Sequence, residues 1–127
     1  MVSDSHRGFL VVLRESGDLV GSINLNNIIH GALQGAFLGY YAFTPYAGQG
    51  LMREGMRLVL KHAFQKLKLH RLEANIQPGI LASIALARSC GFVREGFSRR
   101  YLKVGGRWED HERWAILSED LNRASHL

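Results

Sequence analysis

A single cysteine, Cys90, and two prolines stand in 127 residues. One thiol closes no intrachain disulfide and completes no cysteine-rich metal site, so nothing in the composition points to an oxidising compartment. Cys90, just ahead of Gly91, reads as a small hydrophobe. The longest apolar stretches, such as Phe9 to Leu13, fall far short of the roughly 20 residues that span a bilayer, and no membrane association is expected. Met1 to Gly8 lacks an apolar signal-peptide core and the end carries no lipidation motif, from which a cytoplasmic protein is expected. Internal repeats, low-complexity tracts and linkers are also missing, so residues 1–127 read as one domain.

The chain is 46% hydrophobic and 21% charged, the composition of a compact globular domain. At this length one core suffices without covalent staples. Sixteen Lys and Arg against eleven Asp and Glu give a net charge of +5. That moderate excess suits an anionic ligand, a nucleic-acid surface or simple solubility, and does not separate them.

Phe9 to Leu13 is followed by Glu15-Ser16-Gly17-Asp18, and then Leu19, Gly21, Ile23 and Leu25 alternate with Val20, Ser22, Asn24 and Asn26, which predicts a two-stranded hairpin. The aromatic content of Ala36 to Phe43 favours a third strand, stopped at Pro45. After Gly48-Gln49-Gly50, Met52, Met56, Val59, Ala63 and Leu67 recur at three- and four-residue steps, the pattern of an amphipathic helix. His70 to Gln77 predicts a fourth strand closed by Pro78-Gly79, and Leu81 to Cys90 a second helix ended by Gly91. Strand character returns after Phe92. Lys103 to Trp108 forms a tight hairpin around Gly105-Gly106, with a return strand to Leu117. The alternation of strand and helix indicates an α/β (α+β layered) fold.

The strand, glycine turn and helix around residues 36–52 form the constellation with most chemical content. Glycines let backbone pass close to a bulky ligand, and the free N–H groups of a first helical turn face an anion with the helix dipole behind them. A pyrophosphate fits such a place, as does plain turn chemistry. It is neither a P-loop, since no Gly-Lys-Ser/Thr follows, nor a full dinucleotide fingerprint, since the third glycine is missing.

With strand Arg71-Leu72-Glu73-Ala74-Asn75, Pro78, Ser83 and Cys90-Gly91-Phe92 in order behind it, this constellation resembles the GCN5-related N-acetyltransferase (GNAT) superfamily. The stretch Gly39 to Glu54, Ala74-Asn75, Glu95-Gly96, Tyr101-Leu102, and Gly106-Arg107-Trp108 with Asp110-His111 are similar to the ribosomal-protein-alanine N-acetyltransferase branch, over residues 9–121. The resemblance implies a GNAT fold with a mixed, mostly antiparallel sheet flanked by helices and a splayed strand pair at a coenzyme slot. It implies acetyl-CoA as cosubstrate, with direct attack by a primary amine such as a protein N-terminus.

On that resemblance, the backbone around Tyr41 and Phe43 pairs with the pantetheine arm beside a β-bulge near residues 41–43, while the amides of Ala47, Gly48, Gln49, Gly50, Leu51 and Met52 cradle the pyrophosphate. Arg88 and Arg53 are candidates for the nucleotide phosphates. Glu73 is the candidate base through a bridging water, or a structural carboxylate paired to Arg71 or Arg99; Asn75, on the same face, is expected at the coenzyme and cannot serve as a base. Ala87 replaces the tyrosine with which many members assist the leaving thiolate, and Ser83, one turn earlier, is the alternative donor to the sulfur or else a helix cap. Ile80 replaces an asparagine usual after the proline. Phe37, Tyr40, Tyr41, Phe43 and Tyr46 are expected to be core and slot wall.

The six histidines, His6, His30, His62, His70, His111 and His126, show no metal-ligand spacing, so no metal is expected. His111 and Asp110 are expected to anchor the last hairpin. Family members carry about one further strand and two helices ahead of this segment, walling the acceptor site. A longer chain or another chain would supply that wall here, or the domain binds the coenzyme without catalysing. The edge at Phe9 to Leu13 is expected to be covered, as in a homodimer. Small amines such as polyamines are the alternative acceptors. No specific nucleic-acid partner is expected, since a charge excess this modest argues against a steeply salt-dependent RNA surface.

Overall fold

Residues 5–43 and 50–124 are described in the structure, a computed structural model. Strand β1 (His6–Val12) turns back into β2 (Leu19–Ile29) through a loop in which Gly17 takes φ +75°. β2 pairs antiparallel with β3 (Gly35–Ala42). The period-two pattern assigns one face to the core, where Val20, Ile23, Leu25 and Leu38 are buried. Register slips between Asn26 and Ile29, at Asn27 with φ +52°. Asparagine tolerates this left-handed region better than most residues. The β-bulge of this pair therefore lies here, and the one expected near Tyr41 to Phe43 is not found, because register runs unbroken from Phe37 to Ala42.

Helix α1 (Leu51–Gln65) buries Met52, Met56, Val59, Leu60, Ala63 and Phe64 along one stripe. Gly55 lets it settle onto β1, since a Cβ there would sit 2.6 Å from Val11 Cγ2. Next come β4 (Arg71–Ile76), α2 (Leu81–Ser89), β5 (Val93–Val104), β6 (Arg107–Leu117) and α3 (Ser118–Ala124). Gly105 and Gly106, at φ +59° and +82°, make the expected two-residue turn between β5 and β6.

The six strands form one sheet in the order β1-β2-β3-β4-β6-β5, with only the β3–β4 pair parallel. α1 touches both α2 and α3, which places all three helices on one face. There Ile23, Leu25, Met56, Leu60, Leu72 and Ile116 are fully buried, each contributing roughly 1.5–3 kcal/mol. The opposite face carries Ser22, Asn24, Asn26, Tyr41, Arg71, Glu73 and Asn75, half-buried or exposed. β1 and β2 run longer than the sequence pattern suggests, and α3 was not anticipated. Its start signal is Ser118 followed by Glu119 and Asp120, whose Oδ2 accepts from Leu117 N at 3.0 Å.

Candidate active site

The sheet opens in its middle. β3 and β4 pair only at Gly35–Arg71, Ala36–Leu72 and Phe37–Glu73, although β3 continues to Ala42 and β4 to Ile76. Beyond Phe37 and Glu73 the two strands diverge and leave a gap with polar backbone on both sides. In an antiparallel pair, backbone groups point alternately toward and away from the partner. Phe43 N donates to Val20 O at 2.7 Å, so Phe43, Tyr41 and Gly39 turn their backbone to β2. Leu38, Tyr40 and Ala42 therefore face the gap. This corrects the expectation for Tyr41 and Phe43 by one residue, the slip that a two-residue period makes easy. The Tyr41 ring is 65% exposed on the helix-free face and packs on Phe43, with centroids 5.5 Å apart.

On the helix face, Gly50 stands before α1 at φ +76°, with open space where a Cβ would be. The helix has no side-chain cap, and its first internal bond runs from Glu54 N to Gly50 O, so the amides of Leu51 and Met52 have no helical acceptor. Ala47, Gly48 and Gln49 lie outside the described residues. Across the gap, the Tyr40 phenol donates to the carbonyl of Ser83 at 2.7 Å. Burial raises the pKa of this phenol above the usual tyrosine range; its contact with Ser83 opposes the rise, and the Cys90 thiol adds to it. Ser83 is the third residue of α2, and Ile80 occupies the cap position without a side-chain bond, so Ser83 is not the helix cap. Ala87 is buried one turn further along. Arg88 lies in the last turn of α2, with its guanidinium 5.4 Å over the Trp114 ring.

The other face presents Glu73 and Asn75. Arg71 Nη2 contacts Glu73 Oε1 at 2.9 Å and also grips Glu95, whose carboxyl it holds below the usual carboxylate range. The ion pair foreseen for Glu73 is therefore formed, and it uses one of the two carboxylate oxygens. Asn75 Oδ1 is buried without a hydrogen-bond partner, as is Nε of its cross-strand neighbour Arg113, which lies where a Cβ on Gly96 would be. His111 is buried, with Nδ1 2.9 Å from Glu109 O, and anchors the last hairpin. Asp110 does the same by accepting from Arg100 N at 2.8 Å.

Gly50, Leu51, Met52 and Ser83 thus share the helix face with Tyr40, while Glu73 and Asn75 reach the gap from the other side. Arg88, on the same helix as Ser83, lies over the Trp114 ring. The sequence reading makes Tyr40 core or slot wall; its partner lies 43 residues away, and the one local hint is a polar aromatic on an otherwise apolar strand face. A cavity of about 840 Å³ lies between β1 and α1, lined by Phe9, Val11, Leu13, Val59 and His62, and reaches Leu51 at the start of α1. Among the described residues, no three His, Cys, Asp or Glu side chains come together to hold a metal, and no helix is long and apolar enough to cross a membrane. An extended, amide-bearing ligand with a phosphate end fits these parts. Among the described residues, the gap offers strand edges without ladder partners, Asn75 an unused acceptor, and the start of α1 amides without a helical acceptor beside Gly50.

Residues 2–93 match the model of the acetyltransferase (GNAT) domain. The chain is 42% identical over 117 residues to the probable N-acetyltransferase YjcK of Bacillus subtilis, covering 92% of the chain and 65% of that protein. It is 30% identical over 103 residues to the [ribosomal protein uS5]-alanine N-acetyltransferase of Escherichia coli, covering 81% and 53%. The structure of Mycobacterium smegmatis RimJ in complex with CoA-disulfide superposes with a TM-score of 0.86 at 36% identity, over 92% of this chain and 55% of that one. The chain therefore spans between half and two thirds of the length of these proteins. By sequence match, sheet order and the gap at its centre, the chain belongs to the GNAT acetyltransferase family.

Proposed function

We propose that this domain binds acetyl-CoA and transfers its acetyl group to a primary amine, the N-terminal α-amine of a protein. The observation that carries this reading is the gap between β3 and β4, reached by a phosphate-compatible helix start on one face and by a carboxylate on the other. Acetyl-CoA supplies a thioester carbonyl open to direct attack. The amides of residues 47–52 hold the pyrophosphate, with the α1 dipole behind them, and the gap-facing backbone of Tyr40 and Ala42 aligns the pantetheine arm. Asn75 gives that arm an acceptor.

A protonated amine cannot attack, and the departing thiolate needs a donor. Glu73, anchored to Arg71 through Oε1, keeps Oε2 to take the amine proton through a water on the helix-free face. From the helix face, Ser83, whose main-chain carbonyl is held by Tyr40, offers its hydroxyl to the sulfur. A non-catalytic coenzyme-binding module is the second reading, favoured by the engagement of Glu73 with Arg71 and by Ala87 and Ile80. Similarity to the uS5-alanine enzyme supports the protein N-terminus over small amines such as polyamines. Thiol release from acetyl-CoA, followed with an N-terminal peptide, a polyamine and no acceptor, tests the reading. Release above background with the peptide is expected; coenzyme binding without release to any amine would favour the module.

A further inference from the structure

The ends of β5 and β6 form an arm that outruns the rest of the sheet. β4 stops at Ile76 opposite Glu112, whereas β5 and β6 remain paired from Ser98–His111 out to Val104–Arg107. This arm leaves the sheet at the C-terminal end of β4, the end at which the gap opens. It carries Arg99, Arg100, Lys103 and Arg107, all exposed. None of the four has a carboxylate partner among the described residues. Of the two acids on the arm, Glu109 and Asp110, the latter is bonded to the Arg100 backbone.

The arm is also built to hold two of these cations in place. Register breaks between Ser98 and Leu102, where two more residues stand on β5 than on β6, and Arg100 takes φ +44°. Such a conformation in a non-glycine residue persists only where its surroundings fix it, and it recurs at ligand clamps. Here the Asp110 bond and the packing of Tyr101 against buried His111, with centroids 6.3 Å apart, supply the fixing. Arg99 and Arg100 then border a cavity of about 590 Å³ together with Asp110. Bulges beside active sites commonly re-aim side chains in this way.

We infer that this arm recognises an acidic segment of the acceptor polypeptide, with Arg99 and Arg100 taking its carboxylates while its N-terminal amine enters the gap. The inference rests on the transfer reading above and adds the class of acceptor. Four cations without carboxylate partners among the described residues, on an arm that leaves the sheet at the end where the gap opens, repel a polyamine and attract a carboxylate-bearing chain. The coenzyme phosphates are served by the start of α1, which follows β3 on the other side of β4.

The test uses two fluorescent ten-residue peptides with the same N-terminal alanine, bearing glutamates or glutamines at their fourth to seventh positions. Their binding to the full chain in the presence of coenzyme A is followed by anisotropy. The acidic peptide should bind about tenfold more tightly, the joint effect of a few exposed ion pairs, with the margin shrinking as salt rises. Arg99→Gln with Arg100→Asn should abolish the preference while leaving the glutamine peptide unchanged; asparagine tolerates the left-handed backbone at position 100. If that variant fails to melt cooperatively, Arg99→Gln alone, which leaves the left-handed residue at position 100 in place, gives the same comparison. Equal affinity for the two peptides, or a preference that survives both variants, would overturn the inference. Tighter binding of a short RNA hairpin, lost in the same variants, would overturn it in favour of a nucleic-acid surface. Thiol release with the glutamine peptide reports separately on the transfer reading, so either can fail without the other.

Discussion

Replacing Tyr40 by phenylalanine removes one oxygen and leaves the ring in its place between β3 and α2. The lost group donates to the Ser83 carbonyl at 2.7 Å from a mostly buried position, and a net hydrogen bond of this kind contributes about 1 kcal/mol. For 127 residues the unfolding entropy is roughly 270 cal/mol/K, so the variant should melt about 4 °C below the parent. Because the phenol fixes the backbone of Ser83, which carries the proposed donor to the leaving sulfur, its loss loosens that donor. The turnover number should then fall roughly ten- to hundredfold, with coenzyme affinity within about twofold of the parent. Desolvation keeps the phenol protonated past about pH 10, so Tyr40 should impose no decline in turnover between pH 7 and 9. Its contribution to stability is complete below about pH 10 and is lost as pH rises through the raised folded-state value. The melting difference between parent and variant should therefore shrink only in that alkaline range. Thermal melts and stopped thiol-release assays on both proteins decide the matter. A lower melting temperature with unchanged turnover would show that Tyr40 merely ties α2 to β3.

Other substitutions probe separate parts of the site and its support. Gly50→Val forces a β-branched residue to φ +76° at a strain of about 1–3 kcal/mol and narrows the approach to the α1 amides; coenzyme affinity should drop at least about tenfold with cooperative folding retained, and unchanged affinity would remove the pyrophosphate role. Glu73→Gln should reduce turnover on the order of a hundredfold, the scale of general-base loss, with little change in coenzyme affinity; a change confined to the melting temperature would leave Glu73 as a partner of Arg71 and nothing more. Gly55→Ala sets a helix-propensity gain of about 1 kcal/mol against overpacking on stiff Val11, about 1–3 kcal/mol; a melting temperature lowered by a few degrees is expected, and a higher one would show that α1 lifts from β1 at no cost. The pH dependence of stability has an acid side as well. Arg71 depresses the Glu95 carboxyl, so that pair stabilises the fold above the ordinary carboxylate value near 4.3 and ceases to as pH falls through the lower folded value. Exposure of Glu95 keeps the effect small, and Arg71→Ala should flatten it in melts between about pH 5 and 2.

What the sequence made legible are features that repeat locally. The Met52, Met56, Val59 and Ala63 spacing is the buried stripe of α1, and the two glycines before Arg107 are the turn between β5 and β6. Even the pairing of Arg71 with Glu73 was readable, since residues two apart on a strand share a face. What escaped depends on register and distance. The widening of the β3–β4 gap from Phe37 onward follows from how two strands 30 or more residues apart diverge, so the gap-facing backbone was placed at Tyr41 and Phe43 instead of Tyr40 and Ala42. Tyr40 meeting Ser83, and Arg113 lying over Gly96, are contacts that periodicity does not encode. The contact of Arg88 with Trp114, brought beneath it by the return of β6, is likewise not encoded in periodicity.

Calorimetric titration of the purified 127-residue chain with acetyl-CoA bears most directly on the central claim, because Glu73, Ser83, Tyr40 and the arm all gain their roles from a coenzyme in the gap. Binding at one site with a dissociation constant on the order of micromolar is the expected result. A chain that melts cooperatively yet gives no heat with acetyl-CoA would contradict it.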